Sequence, residues 1–245
     1  MSSEREKAIL QILIQKKAVS VSELAKRLYV SEPSIRRDLH RLETQRLLKR
    51  THGGAVLEAN GISPIKFPFI LRELESSDAK IQIARRAAAL IPDESVVFLD
   101  ASTSAYRLIP FLAEKRDMTV ITNGVKALTD LSECAVRTIS TGGTLVASCM
   151  SLIGEDAIRT VRCYHADFCF FSCRGVSEKG ELTDISAEED YIRQEMIARS
   201  EKSYLLSAGD KFGKRFYHHL CTVEELTGVI SDIILPPSFR PLPNR

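Results

Sequence analysis

The hydrophobic pattern changes period along the chain, and the change divides it into parts. Between Arg5 and Gln15, Ile9, Leu10, Ile12 and Leu13 recur at helical spacing among charged residues. Lys16-Lys17-Ala18 interrupts that pattern. Ser20-Val21-Ser22-Glu23 then has the form of a capping box, with Ser20 as N-cap and Glu23 reaching back, and Leu24, Ala25 and Leu28 form the apolar side of a short second helix. Tyr29-Val30 makes a turn. Ser31 is the next N-cap, and Pro33 falls in the first helical turn, where its missing N–H is harmless. A third helix runs to about Gln45. At ~100° per residue, Ile35, Leu39 and Leu42 share one of its faces, and Arg37, His40 and Arg41 take the opposite face with Ser34 and Arg36 on the flanks.

Two short helices, a tight turn and a capped third helix predict a helix-turn-helix, whose third helix suits a major groove. Leu47 to Leu57 comes next as two β-prone runs around Gly53-Gly54, the signature of a hairpin, here expected as a wing. Arginines on the outer face are suited to guanine edges or phosphates. Lys49, Arg50 and His52 on the wing are candidates for the DNA backbone or minor groove. The candidate DNA-contacting set is therefore Ser31, Ser34, Arg36, Arg37, His40, Arg41, Lys49, Arg50 and His52.

Residues 58–79 carry Asn-Gly, Ser-Pro and Phe-Pro breaks and read as a connection, part of it expected to pack on the larger C-terminal domain. From Lys80 helix and strand alternate. Ile81, Ala84, Ala87, Ala88 and Ile91 mark a helix stopped at Pro92-Asp93. Six short apolar runs are expected as strands: 96–99, 118–122, 136–140, 168–172, 204–207 and 229–231. Continuous apolar runs separated by helices predict an α/β domain with a mainly parallel sheet. The organisation expected is thus a DNA-binding domain over 1–57, a linker over 58–79 and an effector domain over 80–245.

In a parallel sheet the strand C-termini share one edge, where ligands bind. The runs end at Asp100-Ala101-Ser102-Thr103-Ser104, Asn123-Gly124, Thr141-Gly142-Gly143, Ser172-Cys173-Arg174-Gly175 and Gly209-Asp210-Lys211. Hydroxyls and cations converging there suit an anionic, hydroxyl-rich ligand. Ser102, Thr103 and Ser104 are candidates to hold a phosphate, Lys211 or Arg174 to balance its charge, Asp100 and Asn123 to bind hydroxyls, and Gly142 and Gly143 to line the site. Taken singly, each such loop reads as a cap or a turn; the case for a site comes from their common edge.

Charge and composition sharpen the division. Residues 1–60 hold 12 basic and 7 acidic side chains, whereas the remaining 185 are net acidic in a chain of net charge +2. A basic module on a mildly acidic body fits nucleic-acid binding by the module alone. The six cysteines form no CxxC pair and no zinc-like spacing with histidine, so reduced, mostly buried thiols and no metal or cofactor are expected; Cys173, at a strand end, is the one open to a redox role. No apolar run approaches the ~20 residues of a membrane span, and Met1 to Lys7 is polar, so a cytoplasmic protein with no membrane partner is expected.

Val30-Ser31-Glu32-Pro33-Ser34-Ile35-Arg36-Arg37-Asp38-Leu39, then Leu42-Glu43, then Arg50-Thr51-His52-Gly53-Gly54-Ala55 resembles the DeoR family of bacterial regulators, whose motif reads VSxxTIRRDLxxLE and ends in a basic residue and HGGA. Ser34 replaces the family's usual Thr and keeps the hydroxyl. Phe98 to Ser104, Val120 to Asn123, Gly142-Gly143, Gly154, Asp167, Gly180 and Lys211-Phe212-Gly213 are similar to the same family's sensor domain, with Ser102-Thr103-Ser104 in place of Gly-Thr-Thr. The Pro-rich tail Ile233–Arg245 is shorter than the family's last strand and helix. The resemblance implies a fold like ribose-5-phosphate isomerase A and coenzyme-A transferases. It also implies a repressor of carbohydrate genes that answers to a phosphorylated sugar or sugar alcohol. Short recognition helices work in pairs on symmetric half-sites, so a homodimer or homotetramer is expected. The rival reading is a sugar-phosphate isomerase-like enzyme bearing a DNA-binding module. Against it, residues 172–181 hold neither a DGADE-like nor a KGGGG-like motif, and Asp184, Glu188 and Glu189 read as a loop and a helical first turn.

Overall fold

The computed structural model describes residues 4–57, 68–235 and Phe239. Two compact units divide the chain, Met1–Glu75 and Ser76–Arg245.

The first unit opens with α1 (Glu4–Lys16), β1 (Ala18–Ser20), α2 (Val21–Leu28) and α3 (Glu32–Thr44), then β2 (Lys49–Thr51) and β3 (Gly54–Val56). The helical spacing of the sequence becomes one core: Ile9, Leu10 and Leu13 meet Leu24 and the Ile35, Leu39 and Leu42 stripe of α3. Each fully buried aliphatic side chain here stabilises the unit by about 1.5–3 kcal/mol. The wing has three strands in the order β1-β3-β2, all antiparallel. Three-residue β1 is too short to be visible in the sequence. The expected capping box at α2 is half formed: the Glu23 N–H donates to Ser20 Oγ at 3.1 Å, but the Glu23 carboxylate is held by Lys16 and Arg27 instead of reaching back. Ser31 has the extended backbone of an N-cap yet its hydroxyl does not cap; it pairs with Ser34 Oγ at 3.1 Å.

Part of the connection was expected to pack on the effector domain. The connection divides: residues 76–79 open the second unit, where Ala79 packs against its core, whereas α4 (Phe69–Leu74) belongs to the first unit, with Leu71 fully buried in the helix-turn-helix core. Residues 58–67 lie outside the described residues.

The second unit begins with α5 (Ser77–Ala88). Ile81 was expected on its buried face but is exposed; Ile83, Ala84, Ala87 and Ala88 face inward, with Lys80 also buried. Then come β4 (Val96–Leu99), α6 (Thr103–Tyr106), α7 (Ile109–Leu112), β5 (Thr119–Thr122), α8 (Val125–Leu131) and β6 (Arg137–Ser140). The hairpin β7 (Thr144–Val146) and β8 (Ser151–Ile153) precedes α9 (Glu155–Arg162) and β9 (Ala166–Phe171). The chain ends its regular structure with β10 (Gly175–Val176), β11 (Glu181–Asp184), α10 (Ala187–Ala198), β12 (Ser200–Leu206), β13 (His218–Thr222) and β14 (Gly228–Ile230).

Each of the six apolar runs is a strand of one sheet, in the order β14-β12-β9-β4-β5-β6, with every pairing parallel. Both faces are covered, which is why the runs do not alternate in polarity. Val97, Leu99, Val120 and Phe170 enter one core with α5 to α8, whereas Phe98, Ile121, Cys169 and Phe171 enter the other with α9 and α10. A smaller antiparallel sheet, β10-β11-β13, adjoins the carboxyl end of β9. Most of the Pro-rich tail lies outside the described residues.

Candidate nucleic-acid interface and effector edge

In the first unit α3 is anchored from beneath by a carboxylate. Asp38 is fully buried and accepts from Arg5 Nη2 at 3.0 Å and from Arg41, while Arg41 Nε also donates to Glu6 Oε1 at 2.8 Å. Asp38 thereby ties α1 to α3. Arg41 was expected on the outer face; its side chain is half exposed, but its guanidinium is committed to two acids of the scaffold. Arg37 and His40 remain on the exposed face, and Arg37 makes one long 3.3 Å hydrogen bond to Ser34 Oγ. Ser31 is exposed and Ser34 half-buried near the helix start, and Arg36 pairs with Glu32 at 3.2 Å. Lys49, Arg50 and His52 are exposed along the wing, where Glu43 accepts from the Arg50 N–H and steadies β2 against α3.

Gly54 is set by close approach, since a β-carbon there would lie 2.1 Å from the Val19 carbonyl oxygen. Gly53 has open space around it.

In the second unit the loops after β4, β5, β9 and β12 do share the carboxyl edge of the sheet. Asp100, expected to meet a ligand hydroxyl, is buried and already occupied. It accepts from the Ser102 N–H at 3.1 Å, the Ser172 N–H at 3.4 Å and Arg193 Nε at 2.9 Å. Arg193 is the centre of a buried network. It donates at 2.9 Å to Asp184 and at 2.8 Å to Asp190, and it lies 3.8 Å from Glu189. The carboxylates hold its pKa well above the ordinary value in spite of burial. His218 Nδ1 meets Asp190 Oδ2 at 2.7 Å, and Arg174 lies 3.7 Å from Asp184. Sequence reasoning placed Asp184 in a loop and Glu189 in an ordinary first turn. Asp184 is in fact the last residue of β11, and both are buried on Arg193.

The loop after β4 is only partly free. Ser102 Oγ caps the four-residue α6 by accepting from the Ala105 N–H at 3.1 Å. Thr103 is buried beside it. Ser104 is fully buried, and among the described residues its Oγ has no hydrogen-bond partner. At the end of neighbouring β5, Asn123 Nδ2 donates to Ser151 Oγ at 3.2 Å and to the Leu152 carbonyl at 3.1 Å, fastening the β7–β8 hairpin. Asn123 Oδ1 is left buried and without a partner among the described residues. Lys211, after β12, donates to Ser172 Oγ at 2.7 Å, and burial pulls its pKa below the ordinary lysine range against the opposing pull of Cys173, Asp184, Asp210 and Asp100.

The remaining candidates are structural in appearance. Gly142 and Gly143 both have positive φ, and a β-carbon on Gly143 would meet the Ile153 carbonyl at 2.4 Å, so this pair shapes the approach to β7. Cys173 is buried, with its thiol pushed up to about 12, mainly by desolvation; at neutral pH it is protonated and unreactive. All six cysteines are free thiols, four of them buried. Among the described residues no group of His, Cys, Asp or Glu is arranged to hold a metal, and no helix is long and apolar enough to cross a membrane.

A winged helix-turn-helix with a cationic outer face, carried by a parallel α/β unit with a polar strand-end edge, defines a helix-turn-helix transcriptional regulator with a sensor domain. Residues 5–60 match the DeoR-like helix-turn-helix domain, and residues 75–233 match the DeoR C terminal sensor domain. The chain belongs to the DeoR family of transcriptional regulators. It is 34% identical to the uncharacterized HTH-type transcriptional regulator YulB of Bacillus subtilis, over 96% of this chain and 91% of that one. It is 32% identical to the L-fucose operon activator of Haemophilus influenzae (96% and 94% covered) and 27% identical to the glycerol-3-phosphate regulon repressor of Escherichia coli (96% and 93% covered). Among solved structures, eIF2B delta from Chaetomium thermophilum shares the fold at a TM-score of 0.51, with 15% identity over 68% of this chain and 62% of that one. Ribose 5-phosphate isomerase A from Methanocaldococcus jannaschii aligns at 0.43 with 15% identity, covering 56% and 55%, a likeness that decides nothing about activity.

Proposed function

We propose that this regulator represses carbohydrate genes and that a phosphorylated sugar or sugar alcohol, held at the strand-end edge of the second unit, changes its operator affinity. The observation that carries the effector site is the pair of buried, unpartnered oxygens, Ser104 Oγ in α6, which follows β4, and Asn123 Oδ1 at the end of the adjacent β5. A buried polar atom without a partner costs about 1–3 kcal/mol, and a ligand removes that penalty on binding where the Ser104 hydroxyl donates to a phosphate oxygen and Asn123 Oδ1 accepts from a ligand hydroxyl. Lys211 supplies the cation for a phosphate. Asp100 serves by holding the Ser102 loop and Arg193 in place, with Arg174 as a second, outer cation. The relatives named for an L-fucose operon and a glycerol-3-phosphate regulon support a carbohydrate ligand. Repression is the simpler output, because a dimer seated on a promoter excludes polymerase without further contacts.

The test is a thermal-shift titration of the full chain with a panel of sugar and polyol phosphates, glycerol 3-phosphate included, each beside its unphosphorylated parent. A ligand selective for the native state raises Tm by mass action. The reading requires at least one phosphate ester to raise Tm well above its parent, to change retention of a promoter duplex and to emerge chemically unaltered. Conversion of the ester to an isomer would replace this reading with the enzymatic one. A reporter fused to the bound promoter that falls when the gene is deleted would reverse the sign of regulation.

A further inference from the structure

Both ends of the recognition helix α3 are flanked by residues in the left-handed region. Tyr29 (φ 54), at the end of α2, precedes α3, and Arg46 (φ 58) follows it. The backbone at these positions accounts for the conformation. The Tyr29 and Val30 N–H groups both donate to the Ala25 carbonyl, and the Arg46 and Leu47 N–H groups donate to the Glu43 and Leu42 carbonyls. These are helix-terminating motifs whose left-handed residue is ordinarily glycine, since a β-carbon there crowds the backbone.

Neither side chain does anything for the fold that offsets this strain. Tyr29 is 96% exposed, and Arg46 is exposed. Among the described residues, neither side chain has a hydrogen bond, ion pair or ring contact. α1 ends in the same conformation at Lys17 (φ 65), but that residue enters β1 and its carbonyl accepts from the Leu57 N–H. Tyr29 and Arg46 are instead the two residues that bracket the helix with the cationic outer face. Exposed Glu94 and Asp117 of the second unit share the left-handed conformation, so what sets Tyr29 and Arg46 apart is their place beside this helix together with their chemistry: a tyrosine hydroxyl and a guanidinium are both donors to phosphate.

We infer that Tyr29 and Arg46 are DNA-backbone contacts that clasp the phosphates on either side of the groove entered by α3, setting the depth and register of the helix rather than reading bases. The inference rests on the DNA-binding assignment of the first unit. It implies that glycine at either position makes a protein that is no less stable but binds DNA less well, a combination that ordinary damage to the fold does not produce.

The experiment uses the full chain and two probes: a mixed-sequence duplex, and an operator duplex selected from a random pool by the unaltered protein. Arg46→Gly should reduce affinity for both duplexes by a similar factor and lower the slope of log affinity against log salt by about 0.9, one phosphate contact. Arg46→Lys should restore the slope. Tyr29→Gly should weaken both duplexes by about 2- to 12-fold, as for loss of a neutral hydrogen bond, and leave the salt slope unchanged; Tyr29→Phe should lose most of that factor. Tm of both glycine variants should hold or rise. Unchanged affinity, a loss confined to the operator, or a fall in Tm accompanying the loss would each overturn the inference. If the unaltered protein bound neither duplex, the DNA-binding assignment itself would be the casualty, which is a separate result.

Discussion

Asp100 and Arg193, 93 residues apart in sequence, meet in a buried ion pair at 2.9 Å. The pair joins the carboxyl end of β4 to α10, and through Ser102 and Ser172 it fixes the loops after β4 and β9. The edge proposed to sense ligand is therefore built on an internal electrostatic frame.

That frame predicts an asymmetric response to mutation. Arg193→Leu leaves Asp100, Asp184, Asp190 and Glu189 buried around an apolar side chain. Removing one partner of a buried ion pair costs about 3–5 kcal/mol, and here several carboxylates lose the same cation. The chain has no tryptophan, so urea unfolding followed by circular dichroism is the appropriate measurement. A loss of stability below about 1 kcal/mol would mean that the carboxylates find protons or water at little cost.

Within the wing, two adjacent glycines should differ sharply. Gly54→Ala places a methyl 2.1 Å from the Val19 carbonyl and 2.9 Å from Ser20 Cα, both backbone. Neither atom yields without breaking the β1–β3 pairing, so a loss of about 3 kcal/mol or more is expected, with DNA binding lost alongside. Gly53→Ala meets open space and should stay within about 0.5 kcal/mol of the parent. Melting curves of the two variants, compared side by side, check the contrast.

The two outer-face arginines should also separate. Arg37 is exposed with one weak hydrogen bond, so Arg37→Ala should weaken operator binding by about 1–3 kcal/mol and barely move Tm. Arg41 holds buried Asp38 and Glu6. Arg41→Ala should therefore show first as lost stability, because Asp38 then depends on Arg5 alone. Operator retention and thermal melting on both variants distinguish the roles; equal Tm losses would remove the distinction.

The physics that made features legible in the sequence is local. Six buried parallel strands declared themselves because a strand covered on both faces is an unbroken apolar run, as in Val-Val-Phe-Leu at 96–99. The helix-turn-helix was legible because Ile35, Leu39 and Leu42 repeat at helical spacing. Arg193 was not. It sits in a charged helix, and only its i−3 and i−4 acids, Asp190 and Glu189, hint at pairing, while its burial depends on Asp100 far away in sequence. Asp38 hid in the same way, as one charge on a charged helix, with one partner, Arg41, on α3 itself and the other, Arg5, on α1. The sheet β10-β11-β13 escaped notice because its strands are short and polar and β11 breaks register between Leu182 and Thr183. The outer face of α3 was resolved by angle, yet angle alone did not show that Arg41 bends back to Glu6.

Lys211 carries the most specific prediction for the effector edge. Its ammonium donates to Ser172 Oγ, whose own proton goes to the Leu206 carbonyl at 2.6 Å, so the lysine can be removed without orphaning the serine. Burial lowers its pKa, which means the charged lysine destabilises the free protein at neutral pH. A folded pKa below the unfolded one imposes a penalty that is full while both states are protonated. The penalty fades as pH rises from the folded to the unfolded value, where both are neutral. Lys211→Met should therefore raise stability at neutral pH, and the gain should shrink as the solution is made alkaline. If the ammonium faces a phosphate, the same variant should bind a phosphate ester about 10- to 100-fold more weakly while binding of the parent sugar changes little. In the unaltered protein, affinity for the ester should begin to fall at a pH below the range in which an ordinary lysine titrates, and Lys211→Arg should abolish that fall. Calorimetric titration across pH measures the binding changes, and urea unfolding across pH measures the stability gain. Parallel losses for ester and parent sugar would return Lys211 to a structural role and make Arg174, 3.7 Å from Asp184, the better candidate for the phosphate.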